Sequence, residues 1–186
     1  MSARKIFDSI YLTWFSQPKC DRTLFQVVKK QRISKLVEIG IHDVERSQRL
    51  IRMAQIASND EYEVRYTGID LFEARPADAA TMTLKGTHQS LAQTGASVRL
   101  IPGEPTHALS RYANHLGGTQ LLIISHRMSQ DLESAWYYIP RMLTEKAFLF
   151  IELSSDAANQ NGYRSVLSDE IQRLAETAGR GDRKAA

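Results

Sequence analysis

The 186-residue sequence has a single cysteine, Cys20, and no long uninterrupted hydrophobic run. One cysteine excludes a disulfide within the chain, and a zinc site built from several thiolates is excluded with it. Residues 1–15 carry Arg4, Lys5 and Asp8 among their apolar residues, so they resemble neither a signal peptide nor a membrane span. These absences predict a cytoplasmic protein with no membrane partner.

The size and composition of the chain predict one domain. With 42% hydrophobic and 24% charged residues, 186 residues can bury one sizeable core. We expect residues 1–178 to form this domain, with a helical extension over 1–33, an α/β core over 34–153 and a closing helical part over 154–178. The polar residues 179–186 are expected to be a disordered tail.

Positive charge is concentrated at the start of the chain. The net charge is +3, but residues 1–35 alone carry +6, so the remainder carries −3. Such a segment can contact nucleic acid or another acidic partner, and it can also be a solvated helix face. We favour the solvated face and do not expect nucleic acid as a partner, because no aromatic stacking pattern interleaves these charges.

Short apolar runs alternate with segments of helical periodicity from residue 36 onward. The continuous runs indicate strands buried on both faces, which predicts parallel pairing with right-handed crossovers. The expected strands are Leu36–Ile39, Val64–Asp70, Val98–Ile101, Gln120–Ser125 and Ala147–Leu153. Besides the crossover helices, we expect helices over residues 3–15, 22–33, 129–143 (bent or shortened by Pro140) and 165–178.

An aromatic run, Trp136-Tyr137-Tyr138, lies within the expected helix over residues 129–143. Helical spacing lets only one or two of these side chains face the sheet. The others must meet a partner chain, which would make a homodimer, or pack against the N-terminal helices. The sequence leaves both alternatives open.

The turn after the first strand, Gly40-Ile41-His42-Asp43, lacks the second and third glycines of a dinucleotide-binding loop. Asp43 and Glu45 also place carboxylates at the start of the following helix, where they cap it and repel a phosphate. A ligand carrying an ammonium and a sulfonium suits this acidic turn better.

Several motifs at the strand ends resemble those of class I S-adenosylmethionine-dependent methyltransferases. They are Val37-Glu38-Ile39-Gly40, Gly68-Ile69-Asp70-Leu71, Leu100-Ile101-Pro102-Gly103-Glu104 and, across residues 121–152, the fourth strand, helix and fifth strand. The resemblance covers about residues 33–153. It implies a Rossmann-like three-layer α/β/α sandwich with a mainly parallel five-stranded sheet in the order 3-2-1-4-5. Because only about 33 residues follow the fifth strand, the closing antiparallel strand pair is expected to be absent.

The same resemblance implies S-adenosylmethionine as the cofactor and assigns its contacts. Gly40 is expected at the methionine portion, Glu38 near its amino group, Asp70 on the ribose hydroxyls and Glu104 near the adenine. Leu71 and Gly103 adjoin these residues and complete the expected cofactor site. The sequence departs from the family at Gly40-Ile41-His42-Asp43, where glycines are missing, and at Ser125, where many members have an acid.

The residues themselves leave other partners open for the two buried carboxylates. A buried Glu38 needs a donor, which can be a ligand ammonium, a backbone amide or an arginine. For Asp70 the structural alternative is Arg75, five residues further on.

Three histidines, His42, His107 and His126, follow predicted strands. They lack the spacing of a metal site, so we expect no metal. His126 is the candidate general base, because a neutral imidazole after the fourth strand can take a proton from an incoming nucleophile.

The function that fits this pattern is methyl transfer from S-adenosylmethionine to an oxygen or nitrogen of a small molecule. Such chemistry needs positioning, desolvation and at most one base, so a sharp catalytic motif is not required. The alternatives are a non-catalytic binding or assembly module with the same fold, and a protein that binds or modifies nucleic acid through the basic N-terminal segment.

Overall fold

The computed structural model describes residues 3–59, 61–77, 79–129, 132–153 and 162–182. Six strands form one sheet: β1 Lys35–Ile39, β2 Arg65–Asp70, β3 Ser97–Pro102, β4 Thr119–Ile124, β5 Leu143–Glu152 and β6 Tyr163–Val166. The five strands expected from the apolar runs are all present. The largest difference in their bounds is at β5, which begins four residues before the expected start.

The sheet has the order β3-β2-β1-β4-β5-β6, and its first five strands are parallel. The Rossmann-like order 3-2-1-4-5 is therefore confirmed, but the expectation of five strands is wrong. β6 pairs antiparallel with β5, from Tyr163 opposite Glu152 to Val166 opposite Leu149. One closing antiparallel strand fits because it needs only four residues.

Helices cover both faces of the sheet. The helices are α1 Ala3–Ile10 continued by a π-helical turn Tyr11–Phe15, α2 Asp21–Gln31, α3 Val44–Ser58, α4 Leu84–Ala92, α5 Pro105–Tyr112, α6 His126–Ser129, α7 Ile139–Met142 and α8 Ser168–Asp182. Neighbouring residues of β1 point to opposite faces, so Leu36 packs with α2 and α3 while Val37 packs with α5 and α8. The result is the expected three-layer sandwich.

The expected helix over residues 129–143 is wrong. The chain forms the short helix α6, then a 3-10 turn over Ala135–Tyr137 and the single turn α7, with β5 beginning at Leu143. Pro140 lies in the first turn of α7, the only part of a helix that tolerates its missing N–H group. Gln130 and Asp131 lie outside the described residues.

The C-terminal helix α8 begins at Ser168, three residues later than expected, because Ser165 and Val166 belong to β6. It continues to Asp182, into the segment expected to be a disordered tail, and residues 183–186 lie outside the described part. Trp136 packs into the core beside Ile171 of this helix. The aromatic run therefore contacts α8 rather than the N-terminal helices.

Among the described residues, none of the helices combines the length and hydropathy needed to cross a bilayer.

Candidate functional site

A cleft of about 960 Å³ lies at the carboxyl ends of β1, β2, β4 and β5. The strand order reverses between β1 and β4, and open α/β sheets bind ligands in the crevice at such a reversal. The cleft is lined by the turns that follow β1 and β2, the start of α6 and the end of β5. Its volume lies in the range of about 300–1,000 Å³ typical of small-molecule sites.

Gly40 forms a tight corner at the end of β1. Its φ of +78° lies in the left-handed region, and a Cβ atom built on it would lie 2.0 Å from Ser125 Oγ and 2.7 Å from Met128 Cγ. Only glycine fits this position. The turn after β1 is thus packed directly against the turn after β4.

Asp70 closes β2 and is fully buried with four donors around its carboxylate. Backbone N–H groups of Ile41 and Phe72 donate to it at 2.8 and 2.9 Å. Arg75 donates from Nε to Oδ1 at 2.7 Å and from Nη2 to Oδ2 at 2.6 Å. Arg75, the alternative partner named from the sequence, is the partner that the structure shows.

Glu38 is fully buried behind Gly40 and is satisfied by neighbouring side chains. Arg46 Nη2 donates to its Oε1 at 3.0 Å, and the hydroxyls of Ser47 and Tyr66 both donate to Oε2. Burial and the adjacent Glu38 charge raise the pKa of Tyr66 well above its usual value. Glu38 does not line the cleft, so in this structure it positions α3 against β1.

Glu152, at the end of β5, is where the polar groups of the cleft meet. His42 Nδ1 lies 3.3 Å from Glu152 Oε1, Arg46 Nη1 lies 3.4 Å from the same oxygen, and the backbone N–H of His126 donates to Oε2 at 3.4 Å. Burial would raise the pKa of Glu152, but the hydrogen bond from His42 and the charge of Arg46 outweigh it and lower this pKa. The hydrogen bond to Glu152 in turn raises the pKa of His42.

Arg46 connects this cluster to the edge strand and to the N-terminal helices. Its Nη1 donates to the Tyr163 hydroxyl at 3.0 Å, and that hydroxyl donates to Asp21 Oδ1 at 2.8 Å. Burial would lower the pKa of Arg46, but Glu38 and the other acidic neighbours hold it above its usual value. Burial raises the pKa of Asp21 despite the Tyr163 hydrogen bond.

The structure brings some of the sequence-predicted site residues together and separates others. Gly40, Asp70, Leu71 and His126 line the cleft, whereas Glu38 lies behind it. Gly103 and Glu104 follow β3 and are not part of the cleft wall. The side chain of Glu104 is 59% exposed, and its Oε2 lies 3.9 Å from His107 Nδ1.

Sequence reasoning missed the role of Glu152 as the partner of His42. The available signal was an acid closing the fifth strand, β5, which pairs with β4. The three histidines do not converge, since His42 and His126 line the cleft and His107 does not. Within the described ranges, no three histidine, cysteine or acidic side chains are grouped so that they could hold a metal ion.

The sheet order and the cleft at the reversal define a Rossmann-like α/β protein, and comparison with solved structures specifies the fold. The O-methyltransferase TomG from Streptomyces achromogenes, involved in tomaymycin synthesis and solved with S-adenosylmethionine, superposes with a TM-score of 0.54. The sequence identity is 11%, over 95% of this chain and 77% of TomG. This chain has the class I S-adenosylmethionine-dependent methyltransferase fold.

CalS11, a TDP-rhamnose 3′-O-methyltransferase of calicheamicin biosynthesis solved in its apo form, shows the same likeness. Its TM-score is 0.56 at 13% identity, over 84% of this chain and 81% of CalS11. No protein-family model and no curated protein sequence matches the chain. At these identities the likeness establishes the fold alone.

Proposed function

We propose that this protein transfers a methyl group from S-adenosylmethionine to a hydroxyl of a small molecule in the cleft. The observation that carries the proposal is the His42–Glu152 pair in the wall of a cleft at the strand-order reversal. The fold supports the same proposal, because both O-methyltransferases described above share it.

The residues present fit S-adenosylmethionine with one rearrangement. The cleft has the size of a cofactor site, and Asp70 ends β2 at its wall with Leu71 beside it. These two residues are the proposed ribose contacts and Gly40 is the proposed methionine contact. Gly103 and Glu104, which follow β3 outside the cleft wall, are the proposed adenine contacts. Glu38 supports the turn from behind. Because Arg75 occupies both oxygens of Asp70, a ribose contact requires Arg75 to move.

The cofactor supplies a methyl group activated on a positively charged sulfur. This chain supplies a base for the acceptor. Nδ1 of His42 faces Glu152, so the neutral imidazole that donates from Nδ1 keeps the lone pair of Nε2 available to accept a proton. Glu152 orients the ring and stabilises the imidazolium once the acceptor hydroxyl has lost its proton.

His126, the second histidine of the cleft, also contacts Glu152, but through its backbone. Only its backbone N–H contacts this carboxylate, so Glu152 fixes the start of α6 rather than the imidazole. His126 therefore stays a second candidate base, and its side chain lies where it can contact the acceptor. The raised pKa of His42 predicts that activity rises with pH through a value above 6.5.

The volume of the cleft limits the size of the acceptor. Small-molecule sites occupy roughly 300–1,000 Å³, and a nucleoside cofactor with an amino-acid tail already belongs to that class. A cleft of about 960 Å³ therefore leaves room for a compact acceptor.

A specific observation favours a second candidate, a non-catalytic module with this fold. The Asp70 carboxylate is fully satisfied by internal donors, and Gly40 is packed against Ser125 and Met128. The pairing of Asp70 with Arg75 closes the oxygens that the ribose needs, and the packing of Gly40 fixes the turn at the methionine position. In that case the cleft is a binding surface for another ligand.

Calorimetric titration with S-adenosylmethionine and S-adenosylhomocysteine separates the two candidates. We expect saturable binding to the wild type, weakened by about 1–3 kcal/mol in Asp70→Asn, because hydrogen bonds to a charged group contribute that much. Glu63→Gln, at an exposed ion pair with Arg65, is the matched control and leaves the affinity unchanged. Absence of binding and of a thermal shift at millimolar ligand rules out the transferase and leaves the non-catalytic module.

The role of His42 is tested on the same protein with a panel of small phenols and catechols as acceptors. His42→Gln keeps cofactor affinity and loses turnover, whereas His126→Gln keeps both. If the two variants exchange these results, His126 is the base.

A further inference from the structure

The N-terminal helix α1 with its π-helical turn packs onto the domain with its polar side inward. Ser9, Thr13 and Ser16 are buried together with Leu12. The Thr13 hydroxyl donates to the Ser9 carbonyl at 2.6 Å, and the Ser16 hydroxyl donates to the Leu12 carbonyl at 2.7 Å. The Thr13 and Ser16 hydroxyls are thus satisfied within their own segment, and these short side chains let it lie close against the domain.

The large apolar side chains of the same helix point outward. Six of them, each between 44% and 71% exposed, form one continuous face: Ile6, Phe7, Ile10, Tyr11, Trp14 and Phe15. We refer to these six residues as the N-terminal apolar face. A surface helix normally directs its apolar stripe to the core, so this orientation is reversed. Contiguous exposed apolar surface of this kind marks an interaction site.

The area of the face matches one side of a protein interface. A whole aromatic side chain presents roughly 150–250 Å², so the exposed parts of the four aromatic residues amount to about 500 Å². The two isoleucines add to this. A standard interface buries about 800 Å² on each partner, so these six side chains supply most of it.

We propose that the N-terminal apolar face is the interface with a second copy of this chain, packed as an antiparallel helix pair about a two-fold axis. A two-fold interface requires that residue i contacts residue j while j contacts i. The six positions satisfy this, since reflection about the midpoint of Ile10 and Tyr11 maps them onto one another. Phe7 then meets Trp14 of the second copy, and Ile6 meets Phe15.

The charges of the segment tolerate this pairing. Arg4 and Lys5 precede the face, and the helix ends at Phe15, so no basic residue of one copy is reflected onto a basic residue of the other. Asp8 lies opposite Thr13 of the second copy, which is uncharged. The two basic ends therefore lie at opposite ends of the helix pair, where like charges are separated.

The first experiment measures the oligomeric state of the full chain by sedimentation velocity. Wild type is expected to sediment at twice 21.0 kDa, and Phe7→Glu at 21.0 kDa with an unchanged circular dichroism spectrum. Leu167→Glu is the matched control, because Leu167 and Phe7 are both 71% exposed and Leu167 lies outside the face. It is expected to stay dimeric. A monomeric wild type, or a dimer that survives Phe7→Glu, overturns the proposal.

The second experiment tests the antiparallel arrangement with single cysteines in a Cys20→Ser background. Ile10 lies next to the axis, so Ile10→Cys is expected to oxidise to a covalent dimer. Ile6→Cys is the control of matched residue type and exposure, 46% against 44%. In the antiparallel pair, position 6 of one copy lies nine residues along the helix axis from position 6 of the other. The separation is about 13 Å, beyond the 7 Å between Cα atoms that a disulfide allows. Equal cross-linking of both variants overturns the antiparallel pairing.

A lipid surface is the competing occupant, and flotation with vesicles of anionic phospholipid distinguishes it. If the face is a dimer interface, the wild-type protein is expected to stay in the lipid-free fraction. Flotation that is lost in Phe7→Glu, with a monomeric wild type, overturns the dimer and assigns the face to lipid. Neither outcome depends on cofactor binding.

Discussion

Arg75 holds the carboxylate of Asp70 with two parallel hydrogen bonds, at 2.7 and 2.6 Å, while its Nη2 also donates to the Ile41 carbonyl at 2.6 Å. One side chain thus joins the ends of β1 and β2 across the mouth of the cleft. A bidentate arginine–carboxylate pair of this geometry is among the strongest polar contacts in proteins.

Arg75→Met is expected to destabilise the protein and to strengthen cofactor binding. The buried Asp70 loses its charge partner, which costs about 3–5 kcal/mol in the free energy of unfolding. Each Asp70 oxygen loses its arginine donor and keeps one backbone donor, so we expect the affinity for S-adenosylmethionine to rise about tenfold, the contribution of roughly one hydrogen bond. Denaturant unfolding and calorimetry measure the two effects. Arg65→Met, at an exposed pair, changes stability by less than about 1 kcal/mol. A weaker affinity in Arg75→Met would show that Arg75 binds the ligand.

His42 is expected to titrate above the ordinary histidine value of 6.5, because Glu152 stabilises its protonated ring. Two-dimensional NMR of the imidazole resonances measures this pKa. In Glu152→Gln it should fall, since the hydrogen-bonding carboxylate is gone. Glu104→Gln removes a carboxylate far from this ring and leaves the pKa of His42 unchanged. An unshifted His42 in the wild type contradicts the pairing.

The same pair makes stability depend on pH. The raised pKa of His42 contributes stability that is complete below pH 6.5 and is lost as pH rises through the folded-state value. The lowered pKa of Glu152 contributes stability that is complete above pH 4.5 and is lost as pH falls through its folded-state value. Wild type should therefore exceed His42→Gln in unfolding free energy most between pH 4.5 and 6.5, and least above the His42 pKa. Denaturation series at pH 5.5 and 8.5 test this sign.

Gly40→Ala is expected to lower the free energy of unfolding by about 3 kcal/mol more than Gly95→Ala. The two glycines have nearly the same φ, +78° and +77°, so the backbone strain of the substitution is matched. They differ in their surroundings, because a Cβ at Gly40 meets Ser125 and Met128 whereas one at Gly95 has nothing within 4 Å. Urea titration of both variants gives the difference. Equal losses would mean that the two turns are not in contact.

The five parallel strands could be predicted from the sequence because each contains a short apolar run, although the edge strand β3 is mostly exposed or half-buried. β6 could not, since its four residues include Arg164 and Ser165 and adjoin a helical pattern. The short elements between Ser129 and Leu143 could not be predicted, because the spacing of the apolar residues there also fits a single helix. Only the position of Pro140 argued against that helix.

The ends of β1 and β2 were recognisable as the candidate site because a glycine and a carboxylate follow apolar runs there. The partner of Asp70 lies five residues away and could be named from the sequence. The pairing of His42 with Glu152 could not be predicted from the sequence, because 110 positions separate the two residues and only the sheet register brings them together. Long-range polar contacts of this kind leave no periodic pattern.

The chain of polar contacts from Asp21 through Tyr163 to Arg46 has a consequence for synthesis. Tyr163 follows Arg46 by 117 positions and Asp21 by 142. A polypeptide leaves the ribosome N-terminus first, so the acid and the arginine emerge long before the phenol that joins them. Until β6 adds to the sheet edge, both groups depend on water for that hydrogen bond. The last strand to be synthesised therefore supplies the side chain that joins Asp21 of α2 to Arg46 of α3.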